Sequence, residues 1–217
     1  MKASADKRLL AAAELISDSA VLADIGTDHA KLPVSLILSG RIKRAFACDI
    51  NEGPLLFAEA LIKERKLEDK ITTVLTDGLK GLTLSEITDV SICGMGGEHI
   101  SDILKNSLSE DYSRINFVLN PMTRDDALRR FLAENGFIIE KETAVVQSGR
   151  VYSVMKASYN GKPYKKEESW YQIGEIAPIG EGKKYIEKVI SRLEKQSKNP
   201  NEAEKIARLI NEIKEKL

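Results

Sequence analysis

Cysteine and histidine are scarce in this 217-residue sequence, which contains two of each. Cys48 and Cys93 lie inside short apolar runs that predict buried strands, so we expect both to be core residues of a protein from a reducing compartment. His29 and His99 are too few and too poorly spaced to form a zinc site. The sequence therefore predicts a cytoplasmic protein with no disulfide and no metal.

An excess of charge of either sign is also missing, because 33 basic residues balance 33 acidic ones. This balance removes the usual electrostatic argument for nucleic-acid binding. No apolar run approaches the length that spans a bilayer, and the N-terminal residues lack the apolar core of a signal peptide. With 42% apolar residues, the chain is expected to fold around an ordinary core and to have no membrane partner.

The stretch 21–32 reads as a strand, a tight turn and the start of a helix. Gly26 allows a sharp turn and the close approach of a ligand, since it has no Cβ. Thr27 or Asp28 is expected to cap the helix that follows. Such a turn lies at the carboxyl end of a first strand, where open α/β sheets bind nucleotides. An ordinary connection without a ligand is the alternative.

Strand and helix patterns alternate five times, which predicts a parallel sheet with right-handed crossovers. A first helix over 4–17 precedes them, and Thr123 is expected to cap the fifth helix. Residues 137–146 and 150–155 then form two strands with no helix between them, so they should pair antiparallel. This layout is that of the class I methyltransferase sheet. The predicted strands of the alternating part are 21–25, 44–49, 71–75, 90–93 and 116–119.

Acidic residues end the first three strands, at Asp24, Asp49 and Asp77. A carboxylate at the tip of the second strand suits the ribose hydroxyls of a nucleoside, and Asp77 could accept a hydrogen bond from an adenine amino group. A dinucleotide would need a third glycine for its pyrophosphate, where this chain has Lys31. The pattern favours S-adenosylmethionine, which carries no phosphate, and leaves a different nucleotide as the alternative.

Four segments resemble the bacterial tRNA (adenine-22 N1)-methyltransferase family, known as TrmK. They are Ala-Asp-Ile-Gly-Thr-Asp-His-Ala at 23–30, Asp-Gly-Leu at 77–79, Gly-Met-Gly-Gly at 94–97 and the segment around Pro121. The resemblance covers about residues 5 to 158 and implies S-adenosylmethionine-dependent methylation of N1 of adenine 22 in bacterial tRNA. It also implies a set of cofactor-binding residues: Asp24, Gly26, Asp49, Ile50, Asp77, Gly78 and Gly94.

The family commonly has an aromatic residue where this chain has Lys31, and different residues around the proline, where this chain has Asn120 and Met122. The glycines at 94–97 either admit a ligand to the backbone or only permit a cramped turn.

Adenine N1 carries a lone pair and no proton, so it can attack a methyl group without a general base. Asp28 is the candidate for stabilising the cationic product, with helix capping as the alternative role. Asn120 could hydrogen-bond the adenine edge beside Pro121, although a plain strand-end turn would use the same residues. His29 is expected next to the substrate, as a packing residue and not as a catalyst.

Residues 160–217 are predicted to form a separate helical domain after a methyltransferase domain at 1–159. Apolar residues at helical spacing on both sides of 199–201 predict a C-terminal α-helical coiled-coil hairpin. Six lysines of this tail are candidates for binding tRNA phosphates: Lys162, Lys165, Lys166, Lys183, Lys184 and Lys188. A solvated hairpin or a dimer contact is the alternative, and the chain is expected to be a monomer or a weak dimer.

Two other functions stay open on the sequence. The acceptor could be a protein or a small molecule, or the chain could be a non-catalytic interaction protein that retains a cofactor pocket.

Overall fold

The computed structural model describes residues 6–107, 112–199 and 202–217. Its strands are β1 Val21–Ile25, β2 Arg44–Asp49, β3 Ile71–Leu75, β4 Asp89–Met95, β5 Asn116–Pro121, β6 Phe137–Gln147 and β7 Arg150–Tyr159. Its helices are α1 Lys7–Leu15, α2 Lys31–Leu38, α3 Glu52–Glu64, α4 Gly97–Lys105, α5 Asp125–Glu134, α6 Glu168–Ile173, α7 Glu181–Gln196 and α8 Ala203–Lys214. The start of the predicted first helix at residue 4, and the break predicted at 200–201, lie outside the described residues.

The seven strands form one sheet in the order β3-β2-β1-β4-β5-β7-β6. Neighbours from β3 through β5 are parallel, whereas β7 pairs antiparallel with both β5 and β6. The predicted fold class is confirmed: a class I methyltransferase sheet with an antiparallel last hairpin. Because β1 to β5 are parallel, their carboxyl ends share one edge of the sheet, called here the carboxyl edge.

The central strands are buried on both faces, as expected where helices cover a parallel sheet on two sides. Leu22 and Ala23 of β1 are both fully buried, yet they belong to different clusters of core residues. One cluster includes residues of α1, α2 and α3, and the other includes residues of α4 and α5. This two-sided core fixes the strand ends that carry the polar residues.

Two helices begin differently from the prediction. The residue before α2 is Ala30 and the residue before α5 is Arg124; both are left-handed, with φ of 52° and 56°, and neither makes a side-chain capping bond. Thr27 does not cap α2, because its hydroxyl donates to Asp24 at 2.7 Å. Thr123 does not cap α5; instead its carbonyl accepts from the Gly97 amide at 2.7 Å. The predicted caps at Thr27, Asp28 and Thr123 are therefore wrong.

The two predicted helices of the tail are present as α7 and α8, and both bury one apolar face in a common cluster with Val151 of β7. The stretch before them, which the sequence does not mark as regular, contains α6. The apolar residues that α7 and α8 share are Ile186, Val189, Ile190, Leu193, Ile206, Leu209, Ile210 and Ile213.

A buried polar cluster joins the tail to the sheet. Arg129 of α5 and Glu142 of β6 form an ion pair at 2.7 Å, and both side chains have 0% exposure. Arg129 also donates to the hydroxyl of Tyr185 of α7 at 2.8 Å, and that hydroxyl donates to Asp125. Burial acts to lower the pKa of Arg129, but Glu142 and the other anionic partners outweigh it and hold the guanidinium charged. The tail is thus attached through satisfied hydrogen bonds as well as apolar contact.

Trp170 of α6 lies at the same junction. Its indole nitrogen donates to Glu175 at 2.6 Å, and its ring is buried beside the rings of Tyr164 and Tyr171. The ammonium of Lys166 lies 5.5 Å from the centre of the indole ring.

Candidate functional site

A cavity of about 630 Å³ opens at the carboxyl edge of the sheet, where the ends of β1 to β5 meet the first turn of α1. Its size suits a small-molecule cofactor. Nine residues expected in the site line it: Asp24, Gly26, Asp28, Asp49, Ile50, Asp77, Gly78, Gly94 and Asn120. The structure therefore brings together residues that are up to 96 positions apart in the sequence.

Asp24 forms the buried floor of this cavity at the end of β1. Its carboxylate accepts from Thr27 at 2.7 Å and from Ser91 of β4 at 2.6 Å. Burial raises the pKa of Asp24 to about 6, and the two hydroxyl donors oppose that rise. The carboxylate is therefore held in one orientation by β1 and β4 together.

The turn after β1 is fixed by β2, since the Gly26 and Thr27 amides both donate to the Cys48 carbonyl, at 2.8 and 2.9 Å. Gly26 has φ of 70°, and a Cβ there would lie 2.0 Å from the methyl carbon of Met95. The positive φ favours glycine at this position, and any larger residue would also displace the Met95 methyl group.

The ends of β2 and β3 contribute the two other predicted acids. Asp49 accepts from the Asn51 amide at 3.0 Å, and Asp77 pairs with Lys80 at 2.5 Å. Ile50 is 62% exposed although it is apolar, which leaves a free hydrophobic face beside these carboxylates. Gly78 packs closely on α4, because a Cβ there would lie 3.0 Å from Ile103.

The glycines at 94–97 have different roles. Gly94 lines the cavity with φ of 82°, and a Cβ there would meet nothing within 4 Å, so this backbone faces open space. A Cβ on Gly97 would lie 2.2 Å from the Arg124 carbonyl, so this glycine is required by packing. Ligand approach thus fits Gly94, and a cramped turn explains Gly97.

Asp28 lies at the mouth of the cavity with a mostly exposed carboxylate and φ of 54°. Its carboxylate is 3.4 Å from the Nε2 atom of His29. The His29 ring does not line the cavity; it packs on Phe57 with the ring centres 4.9 Å apart. Since Asp28 does not cap α2, its carboxylate remains available to a ligand.

Asn120, the penultimate residue of β5, lines the cavity and is almost fully buried. Its amide nitrogen donates to the Ser153 carbonyl at 2.7 Å, which fixes the orientation of the side chain. The amide oxygen is buried without a hydrogen-bond partner. Such an acceptor is costly unless a ligand satisfies it. Pro121 follows as the last residue of the strand and is buried, but it does not line the cavity.

Lys162, Lys165 and Lys166 lie far from this cavity. They follow β7, whose last residues pair with the beginning of β5, since Ser158 is opposite Asn116. The Tyr164 amide also donates to Ala133, near the end of α5. These lysines are therefore at the edge of the sheet opposite to the carboxyl edge.

Three basic residues that line the cavity were not predicted for the site: Arg8, Lys31 and His99. Arg8 belongs to α1 and approaches the cavity from the start of the described chain. Nothing in the sequence around Arg8 indicates this, because its neighbours Met122 and Tyr152 lie more than 100 positions away.

Within the described ranges, no group of three or more histidine, cysteine, aspartate or glutamate residues is arranged to hold a metal ion. Likewise, no helix among these residues has the length and apolar character needed to cross a membrane. Both cysteines are free, and burial raises the pKa of the Cys48 thiol to about 12 and that of Cys93 further. Neither thiol is therefore a reactive thiolate.

The cavity fits a nucleoside that carries an amino-acid tail. The carboxylates of Asp49 and Asp77 and the exposed apolar side chain of Ile50 are grouped at the ends of β2 and β3. The buried carboxylate of Asp24 and the open backbone of Gly94 lie at the ends of β1 and β4. The unsatisfied oxygen of Asn120 lies beyond them, at the end of β5.

Comparison with known proteins gives matches of sequence and of fold. A family model described as "Methyltransferase domain" matches residues 5–155. The tRNA (adenine(22)-N(1))-methyltransferase of Bacillus subtilis (strain 168) is 32% identical over 151 residues. The matched region covers 70% of this chain and 63% of that protein, which is less than two thirds of the relative's length.

Solved structures of other proteins match nearly the whole chain, and two of them contain a bound cofactor or its product. M. capricolum TrmK in complex with S-adenosyl-homocysteine is 31% identical, covers 99% of this chain and 97% of its own, and has a TM-score of 0.80. A Streptococcus pneumoniae protein, described as a candidate methyltransferase for adenine 22 of tRNA, is in complex with S-adenosyl-L-methionine. It is 29% identical, and the match has a TM-score of 0.80 and covers 96% of this chain and 97% of the S. pneumoniae chain.

Proposed function

Because the chain belongs to the methyltransferase domain family, we propose that it is an S-adenosylmethionine-dependent methyltransferase that modifies N1 of adenine 22 in bacterial tRNA. The family resemblance drawn from the sequence motifs is confirmed by the matches to TrmK proteins. One observation carries the proposal: a single cavity is lined by Asp24, Asp49 and Asp77 and by Asn120, whose buried amide oxygen has no hydrogen-bond partner.

S-adenosylmethionine, when bound, supplies an electrophilic methyl group on a positively charged sulfur. Asp49 is suited to the ribose hydroxyls, and Asp77 to the adenine amino group, because both carboxylates face the cavity from strand ends. Ile50 offers its exposed apolar face to the adenine ring. Gly94, where a Cβ would meet nothing within 4 Å, admits the rest of the molecule close to the backbone, and Gly26 lines the same cavity.

The acceptor base is assigned to the end of the cavity near Asn120. The Asn120 oxygen can accept a hydrogen bond from the adenine amino group, while the bond to Ser153 holds the side chain in place. Adenine N1 attacks with its own lone pair, so no residue has to remove a proton before the transfer. The positive charge that develops on the base is stabilised by the Asp28 carboxylate. Most of the rate is expected from the alignment of the two reactants.

The polynucleotide requires more than the cavity. An adenine in folded tRNA must be exposed or flipped to enter, which costs unstacking energy that contacts elsewhere on the tRNA must offset. Lys162, Lys165 and Lys166 remain predictions for such contacts, and from the opposite edge they could reach only a distant part of the tRNA. The proposal includes a cytoplasmic location and action as a monomer or a weak dimer.

The proposal is tested with purified protein, labelled S-adenosylmethionine and unmodified tRNA transcripts, followed by nucleoside analysis. N1-methyladenosine should form, and a transcript with guanine at position 22 should receive no label. The proposal is contradicted if labelled methyl groups reach only protein or small molecules, or if no tRNA transcript is methylated.

A further inference from the structure

Arg8 is a cation inside the cavity that neither the predicted site nor the proposed mechanism uses. It is the second residue of α1, its side chain is only 21% exposed, and it lines the same cavity as Asp24, Cys93 and Asn120. Lys31 and His99 also line the cavity, but both are exposed residues. Arg8 is thus the most enclosed positive charge among the cavity residues.

One guanidinium nitrogen of Arg8 donates only to a weak hydrogen-bond acceptor. Its Nε and Nη2 atoms donate to the Asp6 carboxylate at 3.1 and 2.6 Å, which fixes the plane of the guanidinium. Its Nη1 atom donates to the sulfur of Met122 at 2.7 Å. A thioether is a weak acceptor, whereas a carboxylate forms charge-assisted bonds that are roughly twice as strong as neutral ones. A bound oxyanion would therefore replace the Met122 sulfur.

The position of Arg8 matches one end of the cofactor. Arg8 lines the cavity together with Asp24 of β1 and Cys93 of β4, so its charge belongs to the same cavity as these strand ends. The amino-acid tail of S-adenosylmethionine has one negative group, its α-carboxylate, and one positive α-ammonium. The carboxylates at the strand ends suit positive and hydroxyl groups, so the negative group needs the enclosed cation.

We propose that Arg8 binds the α-carboxylate of the methionine tail of S-adenosylmethionine, with Asp6 holding the guanidinium in place. The inference rests on the proposed function, because it concerns the cofactor of the same cavity. It assigns to α1 the role of closing the tail end of the cofactor site. An RNA phosphate is the other oxyanion that could reach Arg8.

The test compares two ligands that differ in the tail. S-adenosylhomocysteine has the α-carboxylate, whereas 5′-methylthioadenosine shares the adenosine and the thioether but lacks the amino-acid tail. Calorimetry should show that Arg8→Lys and Arg8→Met weaken S-adenosylhomocysteine binding by about 10- to 100-fold, the range for a hydrogen bond to a charged group. Both variants should bind 5′-methylthioadenosine as the wild type does.

Arg44 supplies a matched control. It also lies over an aromatic ring, 4.7 Å from the centre of Phe46, and pairs with Glu86 at 3.6 Å, but it begins β2 at the edge away from the cavity. Arg44→Lys should leave both affinities unchanged.

Equal weakening of both ligands in the Arg8 variants would overturn the inference, since it would mean a general structural role. The inference would also be overturned if the Arg8 variants bound S-adenosylhomocysteine as the wild type does, while the salt dependence of their tRNA binding fell by about one phosphate contact. If the wild type binds neither ligand, the proposed function itself fails, which separates the two results.

Discussion

The hydroxyl of Ser91 in β4 donates to the carboxylate of Asp24 in β1 at 2.6 Å, across two neighbouring parallel strands. This bond, with the one from Thr27, keeps a buried carboxylate oriented beneath the cavity. This part of the site is therefore fixed by two strands of the sheet, and the ionisation of Asp24 is linked to the stability of the fold.

Asp24 should make the stability of the protein depend on pH. Burial raises the pKa of Asp24 from 3.8 to about 6, so between these values the folded protein holds a proton that the unfolded chain has lost. Stability from this group is therefore lost as the pH rises from about 4 to about 6. Relative to wild type, Asp24→Asn should gain on the order of 2–3 kcal/mol in unfolding free energy between pH 4 and pH 7.5.

Urea unfolding at several pH values measures this difference, and Asp102→Asn on the exposed side of α4 is the control substitution. A difference between Asp24→Asn and wild type that is the same at pH 4 and pH 7.5 would contradict the prediction.

Gly26→Ala should reduce cofactor affinity, whereas Gly40→Ala should not. Both glycines have φ near 70°, so each substitution should cost about 1 kcal/mol in backbone strain. Only at Gly26 would the new Cβ push the Met95 methyl group, and Met95 lines the cavity. Thermal unfolding should show similar losses for the two variants, and calorimetry with S-adenosylhomocysteine should separate them. Equal affinities would show that Met95 moves away from the cavity.

Asp28→Asn should slow methyl transfer by roughly 10- to 100-fold without weakening the binding of S-adenosylhomocysteine. Asparagine is chosen because it tolerates the left-handed backbone of Asp28, so the change removes charge and leaves the turn intact. Single-turnover methylation of the tRNA transcript measures the rate. A normal rate would remove Asp28 from the mechanism.

Arg129→Met should destabilise the protein by about 3–5 kcal/mol, because it leaves the Glu142 carboxylate buried without its partner. Arg130→Met is the matched control on the same helix. Arg130 pairs with Glu168 at the same 2.7 Å, but both side chains are about 40% exposed, so its loss should cost under about 1 kcal/mol. Denaturant unfolding compares the two, and similar losses would mean that the buried cluster does not anchor the tail.

Much of the site follows from the sequence because parallel strands end at one edge. Once Asp24, Asp49 and Asp77 are placed at the ends of successive parallel strands, their meeting at the cavity needs no further information. Asn120 follows from the same rule applied to β5. For such residues the local sequence pattern is sufficient to predict a place in the site, because the parallel topology brings the strand ends together.

Other features depend on contacts that local pattern does not contain. Ala30 and Arg124 adopt left-handed backbones that their residue types disfavour. The sequence therefore placed the helix caps at Thr27 and Thr123, before the true starts of α2 and α5. The position of Lys162 depends on the register between β5 and β7. Lys188 is another lysine of the tail that was expected to bind phosphate. Its ammonium donates a hydrogen bond to the Val151 carbonyl at 2.9 Å, so one of its donors is already used within the protein.

The position of Trp170 also determines which structural changes tryptophan fluorescence can detect in this protein. Trp170 is the single tryptophan of the chain, and its buried indole lies beside the rings of Tyr164 and Tyr171, with its nitrogen donating to Glu175. Tryptophan fluorescence should therefore change when the tail detaches from the sheet. It should not change when a ligand binds in the cavity at the carboxyl edge. A spectroscopic signal for ligand entry would need a second indole, introduced at the rim.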